Sequence, residues 1–286
     1  MKKYWLIAGL LLVGCTGEDT NSPEVKNGAE GAENTDKAPS QPKPIKKLSL
    51  GDLTKAAEEV ALVPSPAEMQ RSLKNVGLKS NLSNLVSKDR NIDMSVADKD
   101  NLAVRTGVVL ADLVLTVKDT TKEEKVERLE KLKVGFKVLG AGDDINSTID
   151  GLISDIRTDA LNSDDLLKEM DELSGVMVPE LEYEAGEWVV PLIQAGSWLE
   201  GANLVSSAII TENKYDSAAQ LLKQPRVVEY FLQYVEREGR EKAPDQVVTK
   251  LVDVLKKLKT IAEKETLTAD DIKEVNKSTS EVLSML

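Results

Sequence analysis

With 286 residues the chain is long enough for one large domain or two small ones, and its net charge of −12, with no basic stripe, argues against nucleic acid as a partner. It has no histidine and a single cysteine, Cys15, which removes Ser-His-Asp and Cys-His catalysis, the usual zinc sites, c-type haem attachment and disulfide staples. Three Trp, five Tyr and two Phe beside abundant Leu, Val, Ala, Glu and Lys form the composition of a helical bundle held by packing, because strand-rich folds carry more β-branched and aromatic residues.

The chain opens with two lysines, then an apolar run, then small residues before Cys15, the order of a secretory signal. A membrane-spanning helix needs about 20 apolar residues, and this run ends before Gly17, Glu18 and Asp19. Leu12-Val13-Gly14-Cys15 resembles the lipobox of bacterial lipoproteins. That resemblance implies removal of residues 1–14, lipidation of Cys15 and attachment to a membrane of the cell envelope through the N-terminal lipid. Thr16 is not the aspartate that marks inner-membrane retention in such lipoproteins, which points to the outer membrane if the organism is diderm. Two or more acyl chains on Cys15 would make the anchor lasting.

Residues 15–47 then read as a disordered linker, rich in Gly, Asn, Ser, Pro, Glu and Lys and without helical period. A coil of this length spans about 30 Å on average and about 100 Å when straight.

Residues 48–286 read as an all-α domain, an irregular antiparallel helical bundle, with a subdivision near residue 213 left open. Ser49 with Asp52 starts a helix to about residue 63, and Ser65-Pro66 starts another to about residue 78. Residues 79–93 are polar and irregular. Ser95 begins the next helix, whose segment 102–117 is strongly apolar. Thr121 with Glu124 is a capping box for a charged helix that ends at Gly140-Ala141-Gly142. Asp143 caps a helix to residue 160, with Ile145, Ile149, Leu152, Ile153 and Ile156 at helical spacing. Ser163-Asp164-Asp165 caps a helix running toward Tyr183, and residues 188–210 form the most apolar helix. Shorter helices follow at about 217–222, 226–237 and 244–263, and a last one starts at Thr268. No strand, hairpin or fixed repeat stands out.

Glu200 is the only charge between Glu187 and Glu212, and Asp112 lies in an equally apolar stretch. A buried carboxylate needs a partner or takes up a proton. Arg105, seven residues before Asp112 and so on the same helix face, is the expected partner of either acid. Arg105, Asp112, Trp198, Glu200 and Asn203 therefore define either a ligand pocket between two central helices or a structural polar network. Gly196 and Gly201 lower helix propensity, and their expected use is close helix–helix approach. Trp188 and Trp198 either stack on a ligand or belong to the core. Glu180, Glu182, Glu184 and Glu187 offer oxygen ligands of the kind that suit calcium or manganese, but no twelve-residue calcium loop accompanies them, and no metal or other cofactor is expected.

Gly107-Val108-Val109-Leu110-Ala111-Asp112-Leu113, a charged helix, Gly142-Asp143-Asp144, and Gly196-Ser197-Trp198-Leu199-Glu200-Gly201 follow in that order. The series, over about residues 98–205, resembles uncharacterised all-helical bacterial envelope lipoproteins that carry a Gly-x-Trp-x-Glu-Gly helix. The resemblance implies a helical fold and an envelope location and no known activity. The expected function is thus that of a non-enzymatic envelope lipoprotein that binds or scaffolds an envelope protein. The alternative is a carrier of a small molecule or lipid in a cavity between the central helices near Trp198 and Glu200. A third reading, a carboxylate-based hydrolase, requires two carboxyls facing across an open cleft at about 5–9.5 Å.

Overall fold

Side-chain caps set the starts of five of the ten described α-helices. The computed structural model describes residues 66–87, 90–237 and 244–286; the leader, the linker and the helix expected from Ser49 lie outside the described residues. Ten α-helices are described: α1 (Pro66–Asn75), α2 (Lys99–Thr116), α3 (Lys122–Leu139), α4 (Asp143–Arg157), α5 (Ser163–Ala185), α6 (Val189–Glu212), the single turn α7 (Tyr215–Ala218), α8 (Pro225–Val235), α9 (Gln246–Ala262) and α10 (Ala269–Leu283). Tight 3-10 turns cover Leu82–Asn84 and Ala219–Leu222, and the described residues contain no strand.

The Thr121 capping box forms as the sequence predicts, and Gly140 ends α3 in the left-handed region. Thr268 and Asp271 form a second capping box at α10. Three predicted starts shift. Ser95 does not begin α2, because its amide and hydroxyl turn back to the Asp93 carboxylate; Asp98 caps the helix instead, accepting from the Asn101 amide. Asn162, one residue earlier than expected, caps α5 by accepting from the amides of Asp164 and Asp165. At α4 the N-cap is Gly142, with no side-chain cap bond, and Asp143 is the first helical residue.

Polar contacts between helices fix the directions of the chain. Lys122 reaches the Arg157 carbonyl at one end of α3 and α4 while Lys133 pairs with Asp150 further along, so the two run antiparallel. Lys250–Glu281 and Lys257–Glu274 do the same for α9 and α10, and Lys256–Glu236 with Lys259–Glu229 for α8 and α9. These exposed pairs set register and contribute little energy individually. Asn203 meets Thr279 and Ser280, whereas Ser206 and Ser207 meet Asn276, so α6 and α10 are antiparallel as well.

The centre of the domain is the α2–α6 pair. Both helices are buried almost all round, from Asp100 to Thr116 in α2 and over most of α6. A Cβ on Gly107 would lie 1.8 Å from the Ile193 carbonyl oxygen, and one on Gly196 would lie 2.0 Å from that of Val104. The two backbones therefore touch directly, each through the other's glycine. Close approach was expected of Gly196; its counterpart is Gly107. On the opposite side of α2, Gly135 of α3 sits where a Cβ would be 2.3 Å from the Thr106 hydroxyl.

The described residues fall within one compact unit. At one end of it, the Glu212 carboxylate accepts from the Lys79 amide (2.7 Å), the Ser80 amide (2.6 Å) and the Ser80 hydroxyl (2.7 Å), tying the segment after α1 to the end of α6. Among the described residues no helix is long and apolar enough to cross a membrane.

The glycine contact makes a direct prediction. Gly107→Ala or Gly196→Ala must push two backbones apart, and each should cost about 3 kcal/mol or abolish folding. Gly151→Ala, on α4 with nothing within 4 Å of the new methyl, should instead stabilise by up to about 1 kcal/mol. Urea denaturation of the three variants checks this.

Candidate functional site

One turn or more beyond the glycine contact, α2 and α6 each turn a carboxylate toward the other. The group that joins them is Arg90, from the irregular stretch before α2. Its Nη1 donates to Glu200 Oε2 at 2.7 Å and its Nη2 to both oxygens of Asp112 at 2.7 Å, with a longer bond of 2.9 Å to Glu200 Oε1. The two carboxyls are also close enough for the Asp112 charge to disfavour that of Glu200. Side-chain exposure is 0 % for Glu200, 9 % for Asp112 and 10 % for Arg90, so water screens the cluster little.

Two carboxylates and one guanidinium carry an excess negative charge if all are ionised. Burial, and next the Asp112 charge, push the Glu200 carboxyl up to about 8, against the opposing pull of Arg90. Burial disfavours the Arg90 charge, but Glu200 and Asp112 together outweigh this and hold its pKa above the ordinary value. Near neutral pH the cluster therefore retains one proton and is close to electrically neutral. Arg128 of α3 braces it from outside by donating to the Asp112 carbonyl at 2.8 Å and to the Thr116 hydroxyl.

The five residues expected to form one pocket or network divide among four places. Asp112 and Glu200 come together. Arg105 serves neither, which corrects the expectation: its Nε donates to Asn101 (2.8 Å), and its Nη1 and Nη2 reach backbone carbonyls of Asp93, Leu286 and Met285. Asn203 faces α10, donating to Thr279 (2.9 Å) and Ser280 (2.8 Å). Trp198 is buried against Phe231, ring centroids 5.9 Å apart, and its indole donates to Gln224 at 2.8 Å. Trp188 lies beneath Arg237, 4.9 Å from the ring centroid, while Arg237 pairs with Asp100 at 2.8 Å.

Arg90 also lies between two open clefts. One, of about 740 Å³, is lined by Arg90, Asp112, Val109, Arg128, Glu127 and Lys131 among others. The other, of about 540 Å³, includes Arg90, Asn203, Ser207, Ser280 and Leu283. Burial and the neighbouring Glu187 raise the Glu182 carboxyl in the acidic run before α6; the side chains of Glu180 and Glu184 lie outside the described residues. Among the described residues no three His, Cys, Asp or Glu side chains are grouped to hold a metal ion.

Comparison with protein families, with curated proteins and with solved structures finds no significant match to this chain.

Two outcomes follow from the cluster. Arg90→Met leaves two buried acids without a cation and should cost about 3–5 kcal/mol. Because the folded state raises the Glu200 pKa from 4.5 to about 8, its contribution to stability is complete below pH 4.5 and is lost as pH rises toward 8. Urea titrations should thus show stability falling over that window by an amount on the order of a few kcal/mol. Glu200→Gln should flatten that slope, whereas Arg105→Met should leave it in place.

Proposed function

We propose that this chain is a lipid-anchored protein of the cell envelope whose helical domain binds or scaffolds a protein partner and catalyses no reaction. The anchored part rests on the signal-like leader and Leu12-Val13-Gly14-Cys15. The observation that carries the non-catalytic part is the mutual saturation of Arg90, Asp112 and Glu200. A carboxylate hydrolase needs two acids held about 5–9.5 Å apart with substrate or water between them. Here the two acids share one guanidinium, with no room left for substrate or water between them and it. The interior charges are engaged in holding helices, which leaves recognition to the surface.

The surface suits a macromolecular partner better than an enclosed ligand. Pockets for lipids and small molecules are concave and mostly apolar, whereas the two clefts beside Arg90 are open and lined mainly by polar side chains. The α2–α6 seam, where a carrier would keep its cavity, is closed by backbone contact at Gly107 and Gly196. Val134 and Val138, on one face of α3, and Tyr183 on α5 leave apolar area on the outside.

Cell fractionation tests the anchor. The native protein should partition into detergent and label with palmitate, and Cys15→Ser should do neither. Crosslinking the acylated protein in membranes should recover one stoichiometric protein partner. A co-purified lipid seen by native mass spectrometry, with no crosslinked protein, would replace this reading with the carrier.

A further inference from the structure

The position of the carboxyl pair relative to the glycine contact has a mechanical meaning. Contacts advance in the same sense along α2 and α6: Gly107 lies against Ile193 and Ser197, and Asp112 against Glu200. Asp112 is five residues beyond Gly107 and Glu200 four beyond Gly196, or about 7.5 and 6 Å along the two axes. We propose that α2 and α6 form a proton-operated hinge, with the Gly107–Gly196 contact as pivot and the Asp112–Glu200 pair as a latch that one shared proton keeps closed.

With the proton present, Asp112, Glu200 and Arg90 balance in charge, and Arg90 holds both carboxyls. Without it, two like charges face each other across a seam with a single cation between them. Among the described residues, Arg90 is the cation that pairs with either carboxylate. The other elements packed around the pair offer no second one in hydrogen-bonding contact with it. Arg128 of α3 binds the Asp112 backbone carbonyl rather than its side chain. α10 presents Thr279 and Ser280 to the next turn of α6, and Gln224 and Phe231 of the α8 region meet Trp198. Arg71 of α1 is exposed, as is Lys74, whose charge is felt at Asp164.

The excess charge is relieved by separating the acids and admitting water. Water has a short path, because clefts of about 740 and 540 Å³ both reach Arg90. On the pivot side, backbone-to-backbone packing at the glycines resists separation. The motion is therefore a splay of α2 and α6 beyond residues 107 and 196, which opens the seam between the two acids to water from the clefts above neutral pH and reseals it below. Whatever occupies either cleft is linked by the same equilibrium to proton binding.

Amide hydrogen exchange of the full-length chain at about pH 6.5 and about pH 9, corrected for intrinsic exchange, tests the hinge. Residues 110–116 and 199–206 should lose protection by about tenfold or more at the higher pH, while the α9 core around Leu251 and Leu255 keeps its protection. Glu200→Gln, and independently Asp112→Asn, should abolish that local loss. Equal protection of the wild-type segments at both pH values overturns the proposal. So does a loss spread equally over α9, or a local loss that persists in either variant.

Discussion

The direct contact of two helix backbones at Gly107 and Gly196 is the constraint on which the domain depends. Helices usually pack with their axes 8–10 Å apart, separated by side chains. Here each helix lays its glycine against a carbonyl of the other, and the side chains that would have filled the interface surround it instead. That choice buries α2 and α6 on nearly every face and leaves no space along the seam. It also decides where polar groups can go. A charged side chain in the middle of these helices is buried by default, and Asp112 and Glu200 must answer to each other and to Arg90.

The remaining helices can be understood as a jacket around this pair. α3 approaches through Gly135 at Thr106, and α10 approaches α6 through an uncharged ladder of Asn203, Ser206, Asn276 and Thr279. The charged pairs lie further out, between α3 and α4 and along α8, α9 and α10. Apart from the Arg90–Asp112–Glu200 cluster, hydrogen bonds without formal charge hold the inner layer, and ion pairs trim the outer one. This order matches their energetics, since uncharged groups are cheaper to desolvate.

Much of the helical architecture was legible in the sequence, because its signals are local. The capping box at Thr121, the helix start at Thr268, the apolar period of α4 and the apolarity of α6 each read correctly from a few neighbouring residues. The starts of α2 and α5 slipped because Asp93 captured Ser95 and Asn162 supplied the better cap. The site was legible only in part. Asp112 and Glu200 stood out as charges in apolar helices, but their cation was misassigned. A spacing of seven residues puts Arg105 on the face of Asp112 yet about 10.5 Å away along the axis, too far for a direct bond. The one available signal was arithmetic: two buried acids require a cation from outside their own helices. Arg90 sits in an irregular stretch whose path depends on tertiary contacts, so no periodicity could point to it.

Glu212 gives the domain a mechanical property. Its carboxylate accepts three hydrogen bonds from Lys79 and Ser80, and burial is outweighed by the Ser80 and Lys79 donors and by Lys214, which keep it ionised. The segment it grips is the part of the described chain that follows α1. α1 packs on α2 and α6 as well, so a pull entering along the chain at Pro66 would be divided between that packing and this grip. All three donors bond to one oxygen of the carboxylate, so the bonds would be loaded together rather than in succession. The C-terminal end of α6 would thus share such a load, as far along the chain as α6 allows from the glycine contact that holds its core.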